Sequence, residues 1–140
     1  MDSAIAVGIG EKILNPVMTV FGLAVEGKGS GKGGSGGPSS WIKYSGNGRS
    51  LECHYRYDSL LALYVFRGEE ISHADLVWAI TGSNNSVFPT YSEEVNIQFQ
   101  ALADDILNIT SLLFTISIDE VDSIIYKVKN RPKGFGALGK

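Results

Sequence analysis

His73 is the side chain whose neighbours most invite a chemical reading. It stands in Glu69-Glu70-Ile-Ser-His73-Ala-Asp75, with a carboxylate close on either side. An imidazole oriented by Asp75 or Glu70 is the smallest unit capable of general acid–base work near neutral pH. The same residues also have a plainer reading. Ser72-x-x-Asp75 has the spacing of a helix N-cap hydroxyl and an acidic third residue, which makes His73 an ordinary first-turn residue on the surface. Cys53 and His54 look like a nucleophile and its base. Adjacent residues on a strand point to opposite faces, so the two cannot share a hydrogen bond.

Two histidines and one cysteine, without HxxxH, CxxC or an acidic calcium-loop pattern, supply no metal shell. No metal or cofactor is expected. The carboxylates Glu69-Glu70, Glu93-Glu94, Asp104-Asp105 and Asp119-Glu120-Asp122 fall at element ends or on polar helix faces and read as solvated. Gly22-Leu-Ala-Val-Glu-Gly27-Lys28 has phosphate-loop spacing as far as its lysine, but Gly29 occupies the position of the metal-holding Ser or Thr. Glycine then continues where a helix would have to begin. Gly31-x-Gly33-x-x-Gly36 matches a dinucleotide fingerprint only because a glycine-rich tract matches any glycine pattern.

The elements that position these residues are organised around Trp41 to Arg67, which predicts a three-strand antiparallel meander. Gly46-Asn47-Gly48 supplies the positive φ of a tight hairpin. Beyond it Leu51, Cys53, Tyr55 and Tyr57 share one face, and Ser50, Glu52, His54 and Arg56 the other. Leu60 to Phe66 is apolar at almost every position, which predicts a central strand covered on both sides. Residues 13–25 read as a short helix, with Asn15-Pro16 as cap and first turn. Residues 27–40, GKGSGKGGSGGPSS, have linker composition and are expected to form a flexible loop whose shortening leaves stability unchanged.

After the meander, a short helix opens at Ser72 and closes at Gly82. Ser92 is expected to cap the main helix, with Glu93 and Glu94 in its first turn. Its inward stripe is Val95, Phe99, Leu102, Ile106 and Ile109. Residues 112–116 are apolar and unassigned. Ser117-Ile-Asp-Glu120 is a capping box opening a last helix with Ile118, Val121, Ile124, Ile125 and Val128 inward. Phe135 and Leu138 in the closing tail are expected to dock back.

The 140 residues, 44% hydrophobic and 19% charged, fit one globular domain. A net charge of −3 argues against a broad nucleic-acid or anionic-membrane surface and is compatible with a basic partner. Cys53, alone, fits a reducing compartment. The apolar start has no basic flank, and Glu11, Lys12 and Pro16 interrupt it before the roughly 20 residues a bilayer helix needs. A cytoplasmic protein without membrane contact is expected.

The stretches WIKYSGNGRSLECHYRY and EEISHADLVWAITG, the acid-capped helix after them and the closing RPKGFGAL resemble the small immunity proteins of bacterial toxin–immunity systems. The resemblance covers about residues 41–138. It implies a single-domain α+β cytoplasmic protein that neutralises a cognate toxin domain by binding it; it carries over no catalytic residue. The expected fold is α+β, a three- to four-stranded antiparallel sheet with helices packed on one face. The expected function is non-enzymatic protein binding. The contact surface would combine Glu69, Glu70, His73 and Asp75 with the loop through Tyr91 and with Glu93 and Glu94, if the two helix starts share an edge. The rivals are a small enzyme using His73 with Asp75 or Glu70, and an RNA-binding sheet stacking bases on Tyr55, Tyr57, Tyr64 and Phe66.

Overall fold

The computed structural model describes residues 2–32 and 38–131. It is an α+β fold in which a five-stranded antiparallel sheet runs in chain order. The strands are β1 (Ala24–Lys32), β2 (Pro38–Gly46), β3 (Arg49–Arg56), β4 (Ser59–Phe66) and β5 (Glu69–Ser72). Three two-residue turns connect β2 to β5. Each holds both central residues at positive φ, at Asn47-Gly48, Tyr57-Asp58 and Arg67-Gly68, which matches the right-handed twist of the strands they join. The helices are α1 (Ser3–Val20), α2 (His73–Thr81), α3 (Val95–Asp105), α4 (Leu112–Thr115) and α5 (Ile118–Lys129), with a π-helical turn at Ile106–Thr110 between α3 and α4.

The predicted meander is present, extended by one strand on each side. The added strand β1 overturns the expectation of a flexible linker at residues 27–40. Its residues pair in register with β2, from Ala24 opposite Ser45 to Lys32 opposite Pro38, with an irregularity between Val25 and Gly27. The Trp41 ring lies against Gly27 and Gly29; a Cβ on Gly29 would sit a tight 3.1 Å from the indole, whereas one on Gly27 would make ordinary contact. Lys28 bonds Glu11 of α1 at 2.8 Å, and Ser30 and Ser3 both share a hydrogen bond with the buried Ser40 hydroxyl. Deleting residues 28–36 would therefore remove most of a paired strand. The phosphate-loop spacing falls on the same segment and is explained otherwise. Gly22, at φ 79, terminates α1 in a Schellman arrangement, with Leu23 N–H on the Met18 carbonyl and Gly22 N–H on that of Thr19. Lys28 then lies in mid-strand. Gly33 and Gly36 of the dinucleotide pattern, and the expected docking of Phe135 and Leu138, lie outside the described residues.

α1 begins at Ser3 under an Asp2 cap, ten residues before the expected helix, and passes through Pro16. Ala6, Val7, Gly10, Leu14 and Met18 recur at helical spacing and are buried, so packing on the sheet outweighs the low propensity of its glycines and proline. Pro16 is tolerated on the exposed side. α2 is capped by Ser72 Oγ on Asp75 N–H and closed by Gly82 at φ 76, and α5 carries the expected capping box. α3 starts later than expected: Glu94 is the N-cap residue without a side-chain cap, so Glu93 and Glu94 precede the helix. Ile118 is exposed. The unassigned stretch is α4, which buries Leu113 and Phe114.

All helix packing falls on one sheet face. Ile42, Tyr44, Leu51, Cys53, Tyr55, Leu60, Ala62, Tyr64 and Phe66 point into that core, and the Tyr44 hydroxyl bonds Asn15 of α1 at 2.6 Å. Gln98 of α3 clamps the β3–β4 turn. Its amide oxygen accepts from Leu60 N–H at 2.9 Å and its NH2 donates to the Asp58 carbonyl at 2.8 Å. The turn needs this support, because Tyr57 and Asp58 both occupy left-handed backbone that residues with a Cβ enter at a cost. Gln98→Ala leaves the Leu60 amide buried and unsatisfied, and should lower unfolding free energy by about 1–3 kcal/mol in urea titrations; a change below the error of the titration would show that water satisfies the turn equally well.

Candidate functional site

The structure buries His73. Its residue is 4% exposed, between β4, the 87–88 loop and the α3 end, so it is not the surface residue the sequence suggested. Neither expected dyad forms. Glu70 lies on the opposite, exposed face of the sheet, across from Val65. Asp75 turns to Arg131, whose Nη1 it meets at 2.7 Å. The acid that His73 reaches is Asp105 at the end of α3, at 2.8 Å from Nε2 and itself 3% exposed. Asp105 was read as a solvated carboxylate. Its spacing from Gln98 and Leu102 puts it one step beside the apolar stripe, a signal that its polarity concealed.

The surrounding groups fix the protons. Burial lowers the His73 pKa below its ordinary value, outweighing the Asp105 carboxylate, which pulls the other way. The ring is therefore neutral, Nε2–H donates to Asp105 Oδ2, and Nδ1 accepts from the Tyr64 hydroxyl at 2.8 Å. Tyr64 in turn accepts from Thr110 at 3.0 Å. Burial pushes the Tyr64 pKa up, so the phenol keeps its proton. Asp105 also accepts from Val87 N–H at 3.0 Å and Phe88 N–H at 2.9 Å, and Phe88 closes edge-on over the imidazole. Each member has a partner.

The π-helical turn aligns this network. Continuing α3 at 3.6 residues per turn would bring Ile109 inward, as the stripe predicted. The wider turn, closed by Ser111 N–H on the Ile106 carbonyl at 2.8 Å, delays the phase by one residue. Thr110 is thereby fully buried against Tyr64, and Ile109 is only half-buried.

A His–Asp–Tyr chain has the parts of a general base. It lacks access, since a base must reach a substrate proton directly or through one water. His73 lines none of the surface clefts at Lys43–Arg49, at Gly29–Trp41 or at Tyr55–Glu94. Its observable role is to pin β4, α2, the 87–88 loop and the α3 end to one another. Cys53 is buried, its thiol pKa pushed up by burial, and His54 lies on the other face beside Glu52 at 3.2 Å.

The remaining expected contact residues do not converge. Glu69 pairs with Phe66 at one end of β4 and binds Lys129 at 2.9 Å. Glu93 and Glu94 line a cleft with Tyr55 and Asp58, at the other end of that strand. Tyr91 is fully exposed between them in sequence but touches neither group.

The outer sheet face offers a different surface. β4 was expected to be covered on both sides; instead its side chains alternate, with Leu60, Ala62, Tyr64 and Phe66 buried and Leu61, Leu63 and Val65 facing outward. Leu61 is 53% exposed, and Trp41, two strands away in the row Trp41–His54–Leu61, is 37% exposed. Lys43, Glu52, Arg56 and Glu70 surround them. Tyr55, Tyr64 and Phe66 point the other way into the core, so the base-stacking platform of the RNA reading is not formed by them. Among the described residues no helix is long and apolar enough to cross a membrane. No family model, curated protein or solved structure matches the chain.

Proposed function

We propose that the protein acts by binding another protein on the bare face of its sheet, as an immunity-type inhibitor that neutralises a cognate toxin domain. The observation that carries this reading is the outward apolar stripe Leu61, Leu63 and Val65 of β4, with Trp41 two strands away across His54, on a sheet whose helices all pack on the other face. Solvated sheet faces usually alternate to polar residues, and a contiguous apolar patch with a charged rim is the common anatomy of a protein interface. Trp41 is a natural anchor. Its ring is held in place by Gly27 and Gly29, so little freedom is lost when a partner covers it. Glu70 and Glu52 on the same face suit a partner with a basic rim, in keeping with the net charge of −3.

The reading is tested by looking for a toxin gene beside its own and co-expressing the two; absence of any such gene counts against it. The wild-type protein should protect the cells, and the double variant Leu61→Asp, Leu63→Asp should not, while retaining its circular dichroism spectrum. Trp41→Ala should weaken the complex by at least about 2 kcal/mol, as expected of a central aromatic anchor. A folded double variant that still protects would place the contact elsewhere.

A further inference from the structure

Among the described residues Arg49 has no partner for its charge. It is 8% exposed, at the start of β3 directly across from Phe66, and its Nε is buried without a hydrogen-bond acceptor. Among the described residues its guanidinium forms no ion pair; its one polar-type contact is with the Phe66 ring, 5.9 Å to the centroid. The Nε thus leaves water without gaining an acceptor, which is unfavourable, and the aromatic face offsets only a part of that cost.

Arg49 lines the cleft at the turn end of the sheet, a volume of about 480 Å³ between the Asn47-Gly48 and Arg67-Gly68 turns. The other charges lining it are already matched. Lys43 lies 3.6 Å from Glu26 and 3.9 Å from Glu52, and Arg67 lies 3.4 Å from Asp122. Arg67 also stacks on Phe66, at 5.3 Å, so two guanidiniums share one ring at the mouth of the cleft. With Lys43 matched by Glu26 and Glu52, and Arg67 by Asp122, Arg49 is the lining cation left without a counter-charge among the described residues.

We propose that this cleft binds an oxyanion group, a carboxylate or a phosphate, of a small ligand, with Arg49 as the residue that takes its charge. The guanidinium presents parallel N–H donors to two oxygens of either group, a match a lysine cannot provide. The cleft lies at the turn end of the proposed protein-binding face and shares Lys43 and Val65 with it, but its argument rests on Arg49 and stands whether or not that reading holds.

The test uses the full chain in low-chloride buffer, with inorganic phosphate and succinate titrated separately. At least one should raise the melting temperature saturably, by about 5–10 °C at a hundredfold excess over its Kd, and the arm that does so tells a phosphate site from a carboxylate site. Arg49→Met should melt higher than the wild type without ligand, because the unmatched charge is gone, and should lose the response. Arg49→Lys should bind at least tenfold more weakly. In the wild-type protein, independently of any variant, amide shifts on titration should concentrate at Asn47 to Ser50 and at Arg67-Gly68. The proposal is overturned if neither anion shifts the melting point or those amides, or if Arg49→Met responds as the wild type does.

Discussion

Phe99→Ala is expected to destabilise the fold by about 3–5 kcal/mol, through lost transfer energy and the cavity left behind. Phe99 is fully buried where three layers meet. Its ring stacks on Tyr55 of the sheet with centroids 6.5 Å apart, and it fills the notch that Gly10 leaves in α1, where any Cβ would collide with it. Removing the ring therefore opens a void that neither α1 nor β3 can close without moving a helix backbone. Against a total stability of about 5–15 kcal/mol for a domain of this size, the loss should leave a measurable unfolded fraction. Urea unfolding followed by circular dichroism measures it. Gly10→Val should fail in the complementary way, by forcing the ring out of place. A variant Phe99→Ala within about 0.5 kcal/mol of wild type would mean that α1 does not pack on α3 as described.

What was legible in the sequence was whatever local chemistry alone decides. Asn47-Gly48, the Ser72 and Ser117 caps and the Gly82 stop are satisfied within a few residues, so their signals survive any tertiary arrangement. The alternation of Leu51, Cys53 and Tyr55 marked the core side of β3 for the same reason. β1 was hidden because glycine has no side chain with which to alternate; that strand exists through its pairing with β2 and through the Trp41 ring that lies against its glycines. α1 was hidden by Gly8, Gly10 and Pro16, whose poor propensity yields to the face packed on the sheet.

The site was less legible than the fold. His73 and Asp105 are 32 residues apart and meet only because the π-helical turn and the 87–88 loop bring their surroundings together. Its spacing from Leu102 is the one local sign that Asp105 is a buried acceptor of three hydrogen bonds, and the same spacing also fits a solvated helix-end acid. β4 was misjudged for an opposite reason. Its apolar residues on both faces were taken to mean two covered faces, whereas one face is open. An open face that keeps apolar residues breaks the usual alternation, and that is the ground on which the proposed interface is placed there.

Asp105→Ala is expected to cost about 3–5 kcal/mol, the range for removing one member of a buried polar pair and stranding the other. Three donors lose their acceptor together: His73 Nε2–H and the backbone N–H groups of Val87 and Phe88. The loop before α3 should loosen first, so its amides should exchange faster than those of the sheet. The same network makes stability depend on pH with a defined sign. Because the folded-state pKa of His73 lies below its ordinary 6.5, between those two values the unfolded chain binds a proton that the native state refuses. Stability from this group is complete above about pH 6.5 and falls as the pH drops through that window, until the folded-state pKa is reached. His73→Gln removes the titration, so unfolding free energies measured at intervals from neutral to mildly acidic pH should fall less steeply in this variant than in wild type, although the variant starts lower. Parallel slopes would mean that folding leaves the His73 pKa unshifted, and a shallower wild-type slope that His73 is charged in the fold, in which case the hydrogen bonds from Thr110 through Tyr64 to Nδ1 would run the other way.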